Sequence, residues 1–246
     1  MNKPLMARLD RLLANMGYGS RRDVQALIAA KRVTLDGQTL RDGALKIAVT
    51  ADLTGRMFVR GTPLDPPAPL TLVMHKPLGA VCSHREEGRS LYELLPTRWR
   101  ARDPQLSSIG RLDAETSGLL MITDDGGLLH RVISPRNHVS KRYHVTLDRP
   151  LEGGEAALFA AGTLVLEGDK NPLAPAHLEP LSANTAHLTI TEGRYHHVRR
   201  MFAAAGNHVV ALHRDRIGAL DLPEDLAHGA YRIITESELE SVFGGG

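Results

Sequence analysis

The sequence predicts an α+β protein with a small N-terminal domain and a larger domain built on a mixed, largely antiparallel sheet. Two short helical patterns and a hairpin signal occupy the first 40 residues, and a proline-dense stretch spans residues 62–69. Beyond residue 70, most apolar segments alternate as strands, with a few helical patterns between them. We therefore expect one domain at residues 1–61, a linker at 62–69 and a second domain at 70–243.

The N-terminal domain begins with two predicted helices. Apolar residues at helical spacing indicate a helix over 8–14, and Ser20 is a plausible N-cap for a second helix over 21–28. Asp36-Gly37 lies between β-forming residues and predicts a tight hairpin over 33–40. The proline-dense stretch that follows cannot form regular ladders, so we expect it to be extended and stiff.

The second domain is predicted to consist mainly of strands. These strands are expected at 70–75, 118–123, 143–147, 176–180, 186–191 and 207–212. Helices are expected at 90–95, 127–133, 195–204 and 236–242. Pro96, Pro135 and Gly206 end the first three of these helices, and residues 244–246 are expected to be a disordered end.

Length and composition are typical of a soluble globular protein. The chain has 246 residues, of which 42% are hydrophobic, and no apolar run approaches the length of a membrane span. The first residues lack the apolar core of a signal peptide, so we expect a cytoplasmic protein that makes no membrane contact. The single cysteine, Cys82, excludes an internal disulfide and a cysteine-based metal site.

Positive charge is concentrated near the N-terminus. Residues 1–60 carry 11 Lys and Arg against 5 Asp, a net charge of +6, whereas the remaining 186 residues carry −4. A concentrated positive patch favours a polyanion, and nucleic acid is the usual candidate. A solvated helical face is the alternative that charge counting leaves open.

The segment Gly110-Arg111-Leu112-Asp113-Ala114-Glu115-Thr116-Ser117 runs directly into a predicted apolar strand. It places one carboxylate on a basic loop that begins with glycine, where a rigid scaffold can hold a nucleophile facing outward. Taken alone, the segment is more typical of an ordinary turn or helix cap, because Asp is common before such runs.

Together with three other motifs, this segment resembles the pseudouridine synthases, whose catalytic motif is G-R-L-D-x-x-T-x-G-L. Lys141-Arg142-Tyr143 resembles the family's K-x-Y strand, and residues 193–202, G-R-Y-H-H-V-R-R-M-F, resemble its G-R-x-H-Q-V-R-R-M-F helix entrance. Upstream, Lys76-Pro77-Leu78-Gly79 resembles its K-P-x-G segment. The four motifs stand in the family order over about two thirds of the chain.

The first domain resembles a second known module. Its R-L-D-x-x-L, G-x-x-S-R-R and V-x-x-D-G patterns are similar to the S4-like αL RNA-binding motif, first known from a small-subunit ribosomal protein. The resemblance implies that basic residues of this domain contact RNA phosphates. The candidates are Arg8, Arg11, Arg21, Arg22, Lys31 and Arg32.

The family resemblance implies the pseudouridine synthase fold with a central cleft, and isomerisation of a uridine without a cofactor or a metal. Asp113 would be the nucleophile, attacking the uracil ring or the ribose, or forming a glycal by elimination. Arg199 would orient Asp113 and keep it ionised, because an opposite charge within ~4–6 Å lowers a carboxylate pKa. Tyr143 would also be catalytic, with its ring stacked on the uracil and its hydroxyl near the proton that must leave.

The other implied contacts are those with the substrate nucleotide. Arg111 would fill the space of the flipped uridine or hold its phosphate, and Leu112 and Val198 would pack against the base. Two positions depart from the family motifs, since His197 stands where Gln is usual and His75 where Asn is usual. These departures put fine substrate contacts in question rather than the class of reaction.

The implied partner is small-subunit (16S) ribosomal RNA, either free or in an assembling particle, and the enzyme is expected to be a monomer. A second hypothesis keeps the chemistry but changes the target to large-subunit (23S) ribosomal RNA or tRNA. A third, of another class, is a noncatalytic RNA-binding factor of ribosome assembly. The presence of Asp113, Tyr143 and Arg199 together argues against a noncatalytic protein.

Overall fold

The computed structural model describes residues 4–84 and 87–244. The strands are β1 (Leu5–Arg8), β2 (Val33–Leu35), β3 (Gln38–Thr39), β4 (Lys46–Val49), β5 (Met57–Val59), β6 (Thr62–Pro63), β7 (Thr71–Lys76), β8 (Ala80–Val81), β9 (Arg89–Ser90), β10 (Ser107–Ser108), β11 (Thr116–Thr123), β12 (Lys141–Leu147), β13 (His177–Pro180), β14 (Thr185–Ile190), β15 (Val209–Ile217), β16 (Leu220–Asp221) and β17 (Tyr231–Ile233). The helices are α1 (Leu9–Asn15), α2 (Arg21–Ala29), α3 (Leu53–Arg56), α4 (Thr97–Arg100), α5 (Gly126–Ile133), α6 (Glu155–Ala160), α7 (His197–Ala204) and α8 (Glu236–Ser241). Short 3₁₀ helices lie at Leu91–Leu94 and Pro135–Asn137.

The chain forms two compact units. The first comprises the residues up to Thr71 together with Tyr92–Ser107 and Thr123–Gly126. The second comprises Leu72–Leu91, Ser108–Ile122 and the residues from Gly127 onward. The first unit therefore includes segments from beyond residue 70, in the region for which a separate second domain was predicted.

The two helices and the hairpin predicted from local sequence signals are present in the first unit. Ser20 caps α2, since its hydroxyl accepts a hydrogen bond from the Asp23 amide and the Asp23 carboxylate accepts one from the Ser20 amide. Asp36 and Gly37 have φ angles of 50° and 77°, which a two-residue hairpin turn requires. The core is built from buried apolar residues on both helices and the small sheet, including Leu13, Val24 and Met57.

The predicted linker was wrong at its start. Thr62–Pro63 forms β6, which pairs with β5 at the edge of the four-stranded sheet β3-β2-β5-β6. Proline is tolerated there because an edge strand has one side on which no amide donor is needed. Leu64 is buried in the first core, and the Asp65 amide donates to the Tyr18 hydroxyl at 3.0 Å.

Polar contacts hold the segment Tyr92–Ser107 in the first unit. The Arg98 guanidinium donates to the Asp65 carboxylate and lies 4.5 Å from the centre of the Tyr18 ring. Arg102 and Asp124 form a fully buried ion pair at 2.9 Å. Because these partners are far apart in the sequence, no local pattern indicated this arrangement.

The second unit is organised around a mixed sheet with the order β13-β14-β12-β15-β11-β7-β17, extended by β10 on β11 and β16 on β15. The pairs β12–β14, β12–β15, β13–β14 and β7–β17 are antiparallel, whereas β11–β15 is parallel. The predicted largely antiparallel sheet is thereby confirmed. Lys141 and Tyr143 share one face of β12, and Arg142 and His144 share the other.

Among the element boundaries in the second unit that differ from prediction, those of β15 and α7 bear on the cleft. β15 continues to Ile217 rather than ending at 212, because pairing with β12 carries the strand through the polar residues 213–216. α7 begins at His197, because His196 adopts a left-handed backbone with φ 47° and ψ 37°.

Two further expectations concern the termini and the membrane. Within residues 4–84 and 87–244, no helix is long and apolar enough to cross a bilayer. The expected disordered end falls partly on Gly245 and Gly246, which lie outside the described residues.

Candidate active site

A cleft of about 650 Å³ opens in the second unit. Its walls come from the loop before β11, from β12 and β15, and from the loop that leads into α7. The cleft brings together all six residues that the sequence predicted for catalysis and substrate contact, which are Arg111, Leu112, Asp113, Tyr143, Val198 and Arg199.

Lys76 supports the loop that carries Asp113. Its side chain is fully buried, and its Nζ donates to the carbonyl oxygens of Pro77 at 3.1 Å, Asp113 at 3.0 Å and Thr116 at 2.8 Å. The Gly79 amide donates to the Ala114 carbonyl at 2.7 Å. Burial lowers the pKa of Lys76, while the nearby Asp113 charge opposes that shift. The K-P-x-G segment therefore holds the backbone from Asp113 to Thr116.

The Asp113 side chain is left available to the cleft. It is about one-third exposed, and its Oδ1 lies 3.6 Å from the Nε2 of His196. Among the described residues, no Lys or Arg nitrogen comes within ion-pair distance of this carboxylate. The left-handed backbone of His196 turns its ring toward the loop of Asp113.

Arg199 is engaged elsewhere. Its Nη1 donates to the Val209 carbonyl at 2.8 Å, and its Nη2 donates to the Glu115 carbonyl at 3.2 Å. The carboxylate nearest to it is that of Glu115, at 3.8 Å. The expected ion pair between Arg199 and Asp113 is therefore not formed, because two backbone carbonyls hold the guanidinium. A catalytic role for Arg199 stays a prediction.

Arg214 is the buried cation of the cleft, and it was not among the site residues predicted from the sequence. Its Nε donates to the Leu119 carbonyl at 2.8 Å, and its Nη1 lies 3.5 Å from the Tyr143 hydroxyl. Its Nη2 finds no hydrogen-bond partner in the described part of the chain. The sequence signal that could have found it is strand alternation continued beyond residue 212, because Leu212 and Arg214 then share one face of β15.

Gly118 allows β11 to approach β15 at Arg214. These two residues are directly paired in the parallel ladder, and Gly118 has φ 115°. A Cβ on residue 118 would lie 2.6 Å from the Arg214 amide nitrogen and closer still to its carbonyl oxygen. Glycine is therefore required where the strands meet.

Lys141 and Tyr143 line the cleft from the same face of β12. Tyr143 is 8% exposed, and its ring lies 5.9 Å from the Arg214 guanidinium carbon. The Lys141 Nζ donates to the Val139 carbonyl at 2.6 Å. Burial, with a further contribution from Arg214, lowers the pKa of Lys141 to about 8.

Comparison with known proteins assigns the chain to a family. A family model described as RNA pseudouridylate synthase matches residues 70–204, and a model of the S4 domain matches residues 7–52. The chain is 43% identical over 239 residues to Ribosomal small subunit pseudouridine synthase A of Escherichia coli strain K12, and the match covers 96% of this chain and 99% of that protein. The chain belongs to the RNA pseudouridylate synthase family.

Further relatives agree on fold and activity. The protein of the same name from Vibrio cholerae serotype O1 is 39% identical, over 96% of this chain and 99% of its own length. A solved structure described as a crystal structure of pseudouridylate synthase has a TM-score of 0.67 at 37% identity, and covers 96% of this chain and 99% of its own. The predicted family and fold are confirmed, and the protein is an RNA pseudouridine synthase with an N-terminal S4 domain.

The two departures from the synthase motifs have different surroundings. His197 is buried in the cleft wall, and burial lowers its pKa, while the nearest carboxylate, Glu192, lies 3.8 Å away. His75 does not belong to the described cleft lining. Its Nδ1 bonds the Leu226 carbonyl at 2.8 Å, and its ring lies 3.9 Å from that of His228. Only His197 is therefore placed to alter the cleft.

The predicted RNA contacts of the S4 domain are all on the surface, but they are not equivalent. The exposed residues are Arg8, Arg11, Arg21, Arg22, Lys31 and Arg32. Arg8 donates two hydrogen bonds to the buried Asp10, at 3.1 and 2.8 Å, and Arg21 lies 3.6 Å from the same carboxylate. The bonds from Arg8 lower the pKa of Asp10 to about 2. Asp10 thus partly neutralises two of the six cations.

Proposed function

We propose that this synthase isomerises a uridine of small-subunit (16S) ribosomal RNA to pseudouridine, with Asp113 as its nucleophile. Asp113 and Glu192 are the carboxylates of the described cleft lining. Glu192 accepts hydrogen bonds from the Ala174 amide and from Arg194, so its oxygens are committed to structure. The availability of Asp113, on a loop held rigidly by Lys76, is the observation that carries the proposal.

The reaction breaks the bond between uracil N1 and ribose C1′, turns the base, and forms a bond from C5 to C1′. The C5 proton leaves and N1 gains one, so the atoms balance without a cofactor. Attack on the ring, attack on the ribose and elimination all place negative charge on the uracil. Arg214 and Lys141 supply positive charge in the cleft. Fixed positive charge stabilises developing negative charge more strongly in a cleft that excludes water than in solvent.

The remaining cleft residues would bind the flipped nucleotide. The ring of Tyr143 offers a stacking surface, and the buried side chains of Leu112 and Val198 offer apolar contact with the base. Arg111 is exposed at the cleft, where it can reach a phosphate or fill the space that the base leaves. Base extrusion costs least in unpaired RNA, which favours a looped target.

The S4 domain would supply affinity for the ribosomal RNA. Arg11, Arg22, Lys31 and Arg32 are exposed, and phosphate contacts made by such residues release counterions. The small-subunit target is proposed from the name of the relatives that match nearly the whole chain. Cytoplasmic location and a monomeric state are part of the same proposal, and sedimentation of the purified protein tests the latter.

The test is to map pseudouridines in cells that lack the gene and are complemented with variants. Wild type and Asp148→Asn, an exposed control, should restore one pseudouridine in small-subunit RNA, and Asp113→Asn should not. Restoration by Asp113→Asn would overturn the nucleophile. A pseudouridine lost from large-subunit RNA or tRNA would overturn the target, and loss of none would favour a noncatalytic assembly factor.

A further inference from the structure

Tyr195 presents an exposed aromatic ring at the rim of the cleft. The side chain is 77% exposed although it lines the same cleft as Asp113. One face of the ring stacks on the His196 ring, with centroids 3.9 Å apart and planes inclined by 18°. The exposed fraction shows that the opposite face is open to solvent.

The backbone that carries Tyr195 is held from both sides. Arg194 donates to the Asp169 carboxylate at 2.8 Å and to the Asn171 and Pro172 carbonyls. Arg200 donates to Asp169 at 2.9 Å and to the Tyr195 carbonyl at 3.3 Å. Hydrogen bonds from these two arginines lower the pKa of Asp169, so the clamp is charged at neutral pH. Tyr195 is thus an exposed aromatic residue on a rigid support.

The stack leads from the reactive carboxylate outward. His196 lies 3.6 Å from Asp113 on one side and stacks on Tyr195 on the other. A ribose held at Asp113 therefore places the neighbouring nucleotide close to the open face of Tyr195. This step rests on the proposed role of Asp113.

A base suits this surface better than a phosphate does. Arg194, Arg199 and Arg200 are the nearest arginines along the chain, and all three are engaged. Arg194 and Arg200 are paired with Asp169, and Arg199 donates to the Val209 and Glu115 carbonyls. Aromatic rings bind unpaired bases by stacking, and each such base contributes roughly 1–3 kcal/mol. We propose that Tyr195 is a stacking site for the nucleobase directly adjacent to the target uridine, on one side of it.

The test is a binding cycle between protein and RNA. A 16S fragment that contains the mapped uridine is prepared intact. Two further fragments each carry one abasic residue, placed directly before the uridine in one and directly after it in the other. Tyr195→Ala should weaken binding of intact RNA by about tenfold, within the range expected for one stacked base. Tyr195→Phe and Tyr195→Trp should retain the affinity. Phe243→Ala removes an exposed aromatic residue outside the cleft and serves as the control.

One of the two abasic fragments should bind the wild-type protein about tenfold more weakly than intact RNA does. The Tyr195→Ala protein should bind that fragment and intact RNA with the same affinity. Turnover at saturating RNA should fall less than affinity. The proposal is overturned if each abasic fragment loses the same factor of affinity, relative to intact RNA, with the wild-type protein as with Tyr195→Ala. The cycle measures affinity and not turnover. Failure of the wild-type protein to convert the uridine would therefore count against the proposed function, while the affinities would still test the stacking site.

Discussion

The Nε2 of His196 lies 3.6 Å from the Oδ1 of Asp113, so an imidazole occupies the place expected for the Arg199 guanidinium. His196 reaches this position through a left-handed backbone that is uncommon for residues with a side chain. Arg199 instead binds the Glu115 and Val209 carbonyls. The side chain beside the carboxylate and the side chain that donates to its loop thus belong to two different residues of one motif.

The first prediction separates these two contributions. His196→Ala should lower kcat by about tenfold, equal to ~1.4 kcal/mol of barrier, because Asp113 loses its nearest titratable neighbour. Arg199→Ala should lower the melting temperature as well, because the Val209 and Glu115 carbonyls lose their donor. Thermal unfolding and single-turnover kinetics measure both effects, with the exposed His177→Ala as control. Full activity in His196→Ala would exclude a role for this imidazole.

Lys76→Met should destabilise the second unit and misplace Asp113. The substitution leaves three carbonyl oxygens without their ammonium donor, and we expect a loss of about 2–4 kcal/mol in the free energy of unfolding. Urea unfolding followed by circular dichroism measures the loss, and the exposed Lys170→Met is the control. Unchanged stability together with normal turnover would show that the Asp113 loop does not depend on Lys76.

Gly118→Ala should distort the cleft by pushing β11 away from β15. The new Cβ would meet the Arg214 backbone, and alanine is strained at φ 115°, so the strands must separate where Arg214 enters the cleft. We expect lower thermal stability and at least about a tenfold fall in kcat, the effect of ~1.4 kcal/mol. Gly154→Ala, with open space and a negative φ, should behave as wild type. A stable, active Gly118→Ala protein would contradict this account.

The pKa of Lys141 sets a limit on activity at high pH. Burial lowers this pKa to about 8, so the ammonium is present below pH 8 and is lost as the pH rises through that value. If the ammonium stabilises charge on uracil, the wild-type rate should fall above pH 8. Lys141→Arg should remain active to higher pH, because a guanidinium stays protonated, and Lys141→Met should be slow throughout. Identical pH profiles for wild type and Lys141→Met would eliminate this role.

Much of the molecule could be predicted because its signals are local. Ser20 with Asp23 and Asp36 with Gly37 act over three residues or fewer, so the capped helix and the hairpin follow from short segments. The G-R-L-D motif likewise specifies a turn and a carboxylate within one loop. For these features, the sequence by itself determined both the structure and the candidate nucleophile.

The partners of the cleft cations depended on pairing between distant strands. Arg214 is buried beside Tyr143 because β15 lies between β11 and β12, and Gly118 permits that approach from almost one hundred residues away. Arg199 binds the Val209 carbonyl because α7 packs against β15, on which Val209 lies. A motif names the side chains that can react, but their contacts depend on strand register and backbone direction. Only the tertiary structure determined these contacts, because each side chain binds the partner that the packing of distant strands and helices places within hydrogen-bond distance.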